Sequence, residues 1–487
     1  AQVKQATVLV NGISCDLEQG ILKVEFVTPD VVRVQYTGEN TFMGNGTDVC
    51  LSRTVDNPVR WVYTPNPDCY LLKSDSLIVR VDLSTASITY LDKEGRLLLQ
   101  EDQNIPRISE KRVTKQVIYD EHSKHIEKTA DGDKEIKNVL RYDIIGHTWK
   151  YRINFKWQPL EALYGWGAHM EDYMNLRGKE LYLCQHNLKA MVPVLNSTAG
   201  YGLLFDAGCA MMFKDNSEGS FVELEAAKQI DYYFMKGKTM DAVVANYRLL
   251  TGNSPMMPLY LFGYIQSKER YVSSDDLINT LKEYRQRQIP IDMIVQDWNY
   301  WPEGQWGNMS MNPKFYPDKR KLADEIHSLH AKLMISIWPN AMNCPQHEEF
   351  KRKGWLLSGT SVYDAFNPLA RKLYWNYANN EFFGNGFDAW WCDASEPLDA
   401  DWTFMKDGYG ADNHRQRWEL NTNLLNSVLG AERSQLYSLY HAKGIYENQR
   451  STNEDKRVVN LTRSSYAGQQ RYSTITWNGD TYATWQS

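Results

Sequence analysis

The chain has 487 residues, with 54 Lys and Arg against 60 Asp and Glu, a net charge of −6. That balance gives no electrostatic case for nucleic acid or an anionic membrane as partner. No apolar run approaches the ~18 residues that a membrane span needs, and the length suggests two to four domains at ~150 residues each.

The first half reads as short strands. "VKQATVLV" (3–10), "ILKVEFV" (21–27), "VVRVQYT" (31–37), "SLIVRVDL" (76–83), "ASITYLD" (86–92) and "TWKYRINFKW" (148–157) alternate apolar and polar residues with turns between. Alternation of period two predicts half-buried strands of an antiparallel β-sandwich. The run 108–138 is dense in both charges and predicts a solvated hairpin or loop.

From about residue 258 the pattern changes. "LYLFGYI" (259–265), "IDMIVQDW" (291–298), "KLMISIWP" (332–339), "FDAWWCD" (387–393), "RVVNLTRS" (457–464) and "YSTITWNGD" (472–480) read as strands. Helical spacing fills 273–288, 317–331, 367–383 and a long stretch from about 414 to 443. Near-continuous apolar strands alternating with helices predict a parallel sheet covered by helices. Six strands fit an open doubly wound sheet or part of a (β/α)8 barrel.

Seven cysteines are scattered at long spacings, an odd number from which no disulfide framework is read. Cys344 with His347, and His327 with His330, lack the second pair a metal site needs and are read as surface or packing residues. There is no GxGxxG after the first strand, and no cofactor is expected. Aromatics are abundant, with 16 Trp, 30 Tyr and 15 Phe, enough for a large core and for surfaces that stack on sugar rings.

Three predicted strands end in Asp: Asp297, Asp393 and Asp480, each close to a Trp. Two others end in Trp338 and Arg463. Barrel enzymes build their sites at the carboxyl ends of strands. A lone Asp there is as readily a helix cap, but three at one relative position point to chemistry.

These segments resemble glycoside hydrolase family 31, the retaining α-glycosidases. The likeness rests on "YGWGAHMEDYMNLRGK" (164–179), "VPVLNSTAGYGLLFD" (192–206), "QDWNYWPEGQWGNMSMNPKFYPD" (296–318), "MISIWP" (334–339), "WWCDASEP" (390–397) and "LTRSSYAGQQRYSTITWNGD" (461–480). The resemblance implies an amino-terminal β-sandwich, residues 1–240, followed by a (β/α)8 TIM-barrel catalytic domain, residues 241–487, of which about six strands are present. It implies Asp393 as nucleophile and Asp480 as general acid/base. Asp297 would bind hydroxyls of the terminal sugar, Arg463 would sit beside the nucleophile, and Trp338, Trp391 and Trp477 would wall the subsite. Trp298, after Asp297, is closer to the α-xylosidase and α-galactosidase branches than to common α-glucosidases. A carbohydrate substrate is thus expected, with a non-catalytic sugar-binding remnant as the alternative. The pattern of the family continues past Asp480, so a second chain completing the barrel, or a homo-oligomer, is also expected. The chain begins "AQVKQATVLV" without Met, which favours a secreted or periplasmic protein with a leader removed and leaves a cytoplasmic one open.

Overall fold

The computed structural model describes residues 1–44, 49–51, 58–129, 132–400, 414–481 and 484–485. The first half folds into two large antiparallel sheets packed face to face, as the alternating pattern predicts. Among the described residues one has eight strands, running from Val3–Val8 at one edge to Leu163–Ala168 at the other. Its middle is built by Ile230–Lys236, which pairs with both Val31–Thr37 and Tyr201–Phe205. The other sheet runs from Glu180–Leu183 to Trp61–Pro65. Strand Ile21–Thr28 buries Leu22, Val24 and Phe26, and Leu77–Asp82 buries Leu77, Val79 and Val81. These alternate residues join the core between the sheets. The charged run forms a long hairpin. Arg107–Tyr119 pairs with Val139–Lys156, and a smaller hairpin, His125–Thr129 with Gly132–Ile136, lies between them.

After the helix Met240–Thr251, six strands among the described residues form one parallel sheet in sequence order. They are β1 (Ile265–Gln266), β2 (Met293–Gln296), β3 (Lys332–Ile337), β4 (Ala389–Cys392), β5 (Asn460–Thr462) and β6 (Thr474–Thr476). Every pairing is parallel. Among the described residues β1 and β6 are the sheet's edges.

Both faces of the sheet are apolar. Ile294, Leu333, Ile335, Ile337, Trp390 and Cys392 point to the helices. Met293, Val295, Met334, Ala389, Val459 and Leu461 form a second cluster on the opposite, inner face. Coverage on both faces explains why the strands read as unbroken apolar runs. The helices start where capping residues place them. Ser273 accepts from Asp276 N–H at 3.1 Å to open α1 (Ser274–Gln286). Asp318 accepts from Lys321 N–H at 2.9 Å to open α2 (Lys319–Ser328). After α3 (Pro345–Lys353), Asn367 followed by Pro368 opens α4 (Pro368–Glu381).

Two expectations needed correcting. "LYLFGYI" is not a strand along its length: Leu259–Phe262 form a 3-10 turn after Pro258, and pairing begins only at Ile265. Gly263 lies against Asp292, where a Cβ would come within 1.9 Å of Oδ2, so the chain bends there. The helical stretch from 414 is two helices, α5 (His414–Leu429) and α6 (Tyr437–Thr452). Gly430, at φ +86°, ends the first.

Candidate active site

Strand parity aims the site. On β2, Met293 and Val295 face inward, so Asp297, one residue past the strand, falls on the same side. On β4 the inward residues are Ala389 and Trp391, and Asp393 is next. Val459, just before β5, and Leu461 on it lead to Arg463 in the same way. On β3, Met334 leads through Ser336 to Trp338. Residues of period two thus arrive together at the carboxyl ends of four strands. Trp477 follows β6 directly and packs on Trp391 with ring centroids 4.6 Å apart. Asp480 lies four residues past β6.

Arg463 ties the acids together. Its Nη1 is 3.2 Å from Asp393 Oδ1 and 3.2 Å from Asp480 Oδ2. The two oxygens are therefore at most twice 3.2 Å, or 6.4 Å, apart. The other edge of the guanidinium is held by Glu396, with Nε to Oε1 at 3.0 Å and Nη2 to Oε2 at 3.3 Å. This fork-to-fork pair is buried and fixes the plane of the arginine. Asp393 also accepts the Ala394 N–H at 2.8 Å, and Asp297 the Trp298 N–H at 2.8 Å.

The acids differ in setting. The Asp393 side chain is 14% exposed and that of Asp480 is 72% exposed. Burial pushes the Asp393 carboxyl up to about 6, with Arg463 opposing and Asp480 and Glu396 adding to the rise. Burial and then the charge of Asp393 push Asp297 up to about 7. Arg463 thus pairs with three carboxyls, and burial together with neighbouring negative charge raises the proton affinity of Asp393 and Asp297. Burial disfavours the charge on Arg463 itself, but Glu396, Asp393 and Asp480 outweigh it and keep it cationic.

Aromatic rings line the approach. Trp306 lies 5.4 Å from Trp298, 5.3 Å from Trp301 and 5.1 Å from Trp338. The indole N–H groups of Trp306 and Trp338 are buried and meet no acceptor among the described residues. A cleft of about 1750 Å³ runs from Trp338, Ala394, Glu396 and Arg463 out to the long hairpin at Val117, Tyr142 and Ile145.

The geometry joins Asp393, Arg463 and Asp480, sets Asp297 close enough to feel the charge of Asp393, stacks Trp391 on Trp477, and places Trp338 with Arg463 on the lining of one cleft. Residues 254–487 match the TIM-barrel domain of glycosyl hydrolases family 31, and residues 21–213 match the galactose mutarotase-like amino-terminal domain of the same family. The chain belongs to glycoside hydrolase family 31. An α-xylosidase of Saccharolobus solfataricus is 30% identical over 475 residues, which cover 95% of this chain and 58% of that protein. An α-xylosidase A of Aspergillus niger is 25% identical over 371 residues, 70% of this chain and 49% of the relative. Among solved structures, a family 31 α-xylosidase from a soil metagenome, complexed with xylose, superposes with a TM-score of 0.78 at 23% identity. That match covers 99% of this chain and 68% of the other and establishes the shared fold. The fold is thus a β-sandwich followed by a family 31 (β/α)8 barrel domain, represented here by six strands. The match spans 58%, 64% and 49% of the length of three of the curated relatives.

Three site residues escaped the sequence reading. Glu396 stands in the same family 31 segment as Asp393, three residues on, and that proximity was the available signal. Trp306 lies in the loop after β2 and looked like one tryptophan among many. Asn187, which contacts Asp480, comes from the sandwich and carries no local signal.

Proposed function

We propose that this protein is a retaining, exo-acting α-glycoside hydrolase that releases the terminal non-reducing sugar from oligo- or polysaccharides, with α-xylosides as favoured substrates. The observation that carries the reading is the shared guanidinium nitrogen, which holds Asp393 Oδ1 and Asp480 Oδ2 no more than 6.4 Å apart and so gathers both carboxyls at one cation. Retaining enzymes hold their carboxyls at ~5–5.5 Å, whereas inverting ones leave ~6.5–9.5 Å for a water.

In this reading Asp393 attacks the anomeric carbon as the C1–O bond breaks, and Asp480 passes a proton to the departing oxygen. Asp480 then takes a proton from water, which releases the sugar from Asp393 with its configuration retained. Arg463 keeps Asp393 available as carboxylate. Asp297, on the same face, binds sugar hydroxyls, and the negative cluster favours positive charge developing at C1. Trp338, Trp391 and Trp477 supply the apolar walls, and the free indole N–H groups of Trp306 and Trp338 suit ring hydroxyls.

The xyloside preference rests on the bulk of Trp298, wedged beside Asp297 and packed on Trp306, where a C6 hydroxymethyl would need room. Relatives named α-xylosidase support it. An α-glucosidase of Saccharolobus solfataricus, 25% identical over 284 residues, favours the glucoside as second reading; that match covers 53% of this chain and 40% of the relative. Turnover of nitrophenyl α-xyloside, glucoside, galactoside and N-acetylgalactosaminide decides between them. The expected order puts the xyloside at least ~10-fold ahead in kcat/KM, the worth of about 1.4 kcal/mol. A faster glucoside or galactoside removes the substrate claim alone. No turnover of any member, with binding retained, supports the sugar-binding remnant.

A further inference from the structure

A tight turn of the sandwich reaches the barrel's acid. Residues 186–189 lie between the strands Glu180–Leu183 and Ala190–Ser197. His186 and Lys189 close the turn with two backbone hydrogen bonds of 2.9 and 3.0 Å. Asn187 stands at its tip. Its Nδ2 donates to Asp480 Oδ2 at 2.7 Å, and its Oδ1 accepts from the Asp480 N–H at 2.9 Å. The amide is used at both ends, so neither a carboxylate nor an aliphatic side chain reproduces the pair. The backbones touch as well: Gly479 has φ +77°, and a Cβ there would lie 1.8 Å from the Asn187 carbonyl oxygen.

The turn is anchored where it matters. Gln185 donates to the Ser465 carbonyl at 2.8 Å and accepts from Ser464 Oγ at 3.1 Å, directly after Arg463. Its own N–H and C=O are held by Gln435 at 2.6 Å and Asn421 at 2.7 Å. Lys189 pairs with Glu171 and lies over the Trp418 ring.

We propose that Asn187 is a positioning residue for Asp480, supplied by the sandwich to the catalytic chemistry of the barrel. The inference rests on Asp480 being the acid/base. Both donors, Asn187 Nδ2 and Arg463 Nη1, go to Oδ2. Among the described residues no donor reaches Oδ1. In the protonated acid, the two donors on Oδ2 favour a proton on Oδ1. When Oδ1 is protonated, Oδ2 is the carbonyl oxygen and still accepts both hydrogen bonds. When the proton leaves for the glycosidic oxygen, the same donors receive the new charge without rearrangement. The acid's own side chain is largely exposed, so without Asn187 the Arg463 contact at 3.2 Å is the remaining restraint shown on its carboxyl, and its alignment loosens.

The test compares Asn187→Ala, Asn187→Ser and Asp480→Ala with the unmodified protein on aryl α-glycosides of graded leaving-group acidity. Acid catalysis as a whole contributes ~10²–10⁴-fold. Losing only its alignment should cost about 10–100-fold in kcat/KM on the poorest leaving group and under about 3-fold on a dinitrophenyl glycoside. Both Asn187 variants should show this slope with an unchanged melting temperature; Ser keeps a turn-compatible residue in case Ala disturbs the loop. A deficit equal across all leaving groups, or none, overturns the proposal. If Asp480→Ala itself shows no such slope, the acid/base assignment falls, a result distinct from failure of Asn187 alone.

Discussion

Replacing Arg463 with Gln tests how the site keeps Asp393, the proposed nucleophile, charged. Burial already lifts Asp393 to about 6, and Arg463 is the main opposing influence. At 3.2 Å and an effective dielectric of 20, the attraction is about 5 kcal/mol, a ceiling of about 4 pH units. Carboxylates beside arginine usually titrate about 1–3 units lower for it, which is the range expected here. The sign follows directly. Without the cation the carboxylate is disfavoured, its proton leaves at higher pH, and the reactive form appears later in a titration. Glu396 loses its partner too and pushes the same way. The assay is kcat/KM against pH on an activated aryl α-glycoside, which reports the free enzyme. The acid limb should stand near 6 in the unmodified protein and rise by about 1–3 units in Arg463→Gln, whatever the loss in absolute rate. Arg463→Lys, which keeps a charge but not the fork to Glu396, should bring the limb most of the way back. An acid limb that stays in place, or moves down, in Arg463→Gln refutes the argument.

Three further outcomes follow from the same electrostatics. Asp393→Asn and Asp297→Asn should each stabilise the fold at pH 8 by about 1–3 kcal/mol, below the about 3 and 4 kcal/mol of the full shifts from 3.8. Both folded values are raised, so the native carboxyls cost stability as pH climbs from about 4 to about 7, and the gain should vanish below pH 4 in thermal melts. Asp388, at the amino end of β4, should behave oppositely. Burial works against its charge, but His327 at 2.7 Å and Lys456 at 3.4 Å outweigh that and lower its proton affinity. Asp388→Asn should cost about 2–3 kcal/mol at pH 7, less than the ~3–5 for breaking a fully buried pair because its cations are partly solvated. That loss should shrink as pH falls towards 3, with the shape of the pH–rate profile unchanged.

Much of this architecture was legible because it obeys short-range rules. Strand Ile21–Thr28 alternates because one face meets the opposite sheet. The runs ending in Asp297 and Asp393 are apolar throughout because helices cover one face and the inner cluster fills the other. Parity then carries Asp297, Asp393 and Arg463 to one side. What stayed hidden depends on distance along the chain. Ile230–Lys236 completes a sheet begun by Val31–Thr37, a pairing across some two hundred residues that no local pattern encodes. Asn187 meets Asp480 across 293 positions. Glu396 resembles a surface glutamate before a proline until Arg463 folds against it. "LYLFGYI" misled because apolar composition outweighed Pro258 and Gly263, which dictate a turn.

The central claim is that Asp393 forms a covalent bond to the sugar. Treating the protein with a 5-fluoro-α-xylosyl fluoride should slow breakdown of that intermediate enough to weigh it and map it by peptide mass spectrometry. A single glycosyl adduct is expected on the peptide containing "FDAWWCDASEP", at Asp393, and it should be absent from Asp393→Ala. An adduct on another residue, or turnover whose first product is the β-sugar with no adduct at any time, would contradict the account.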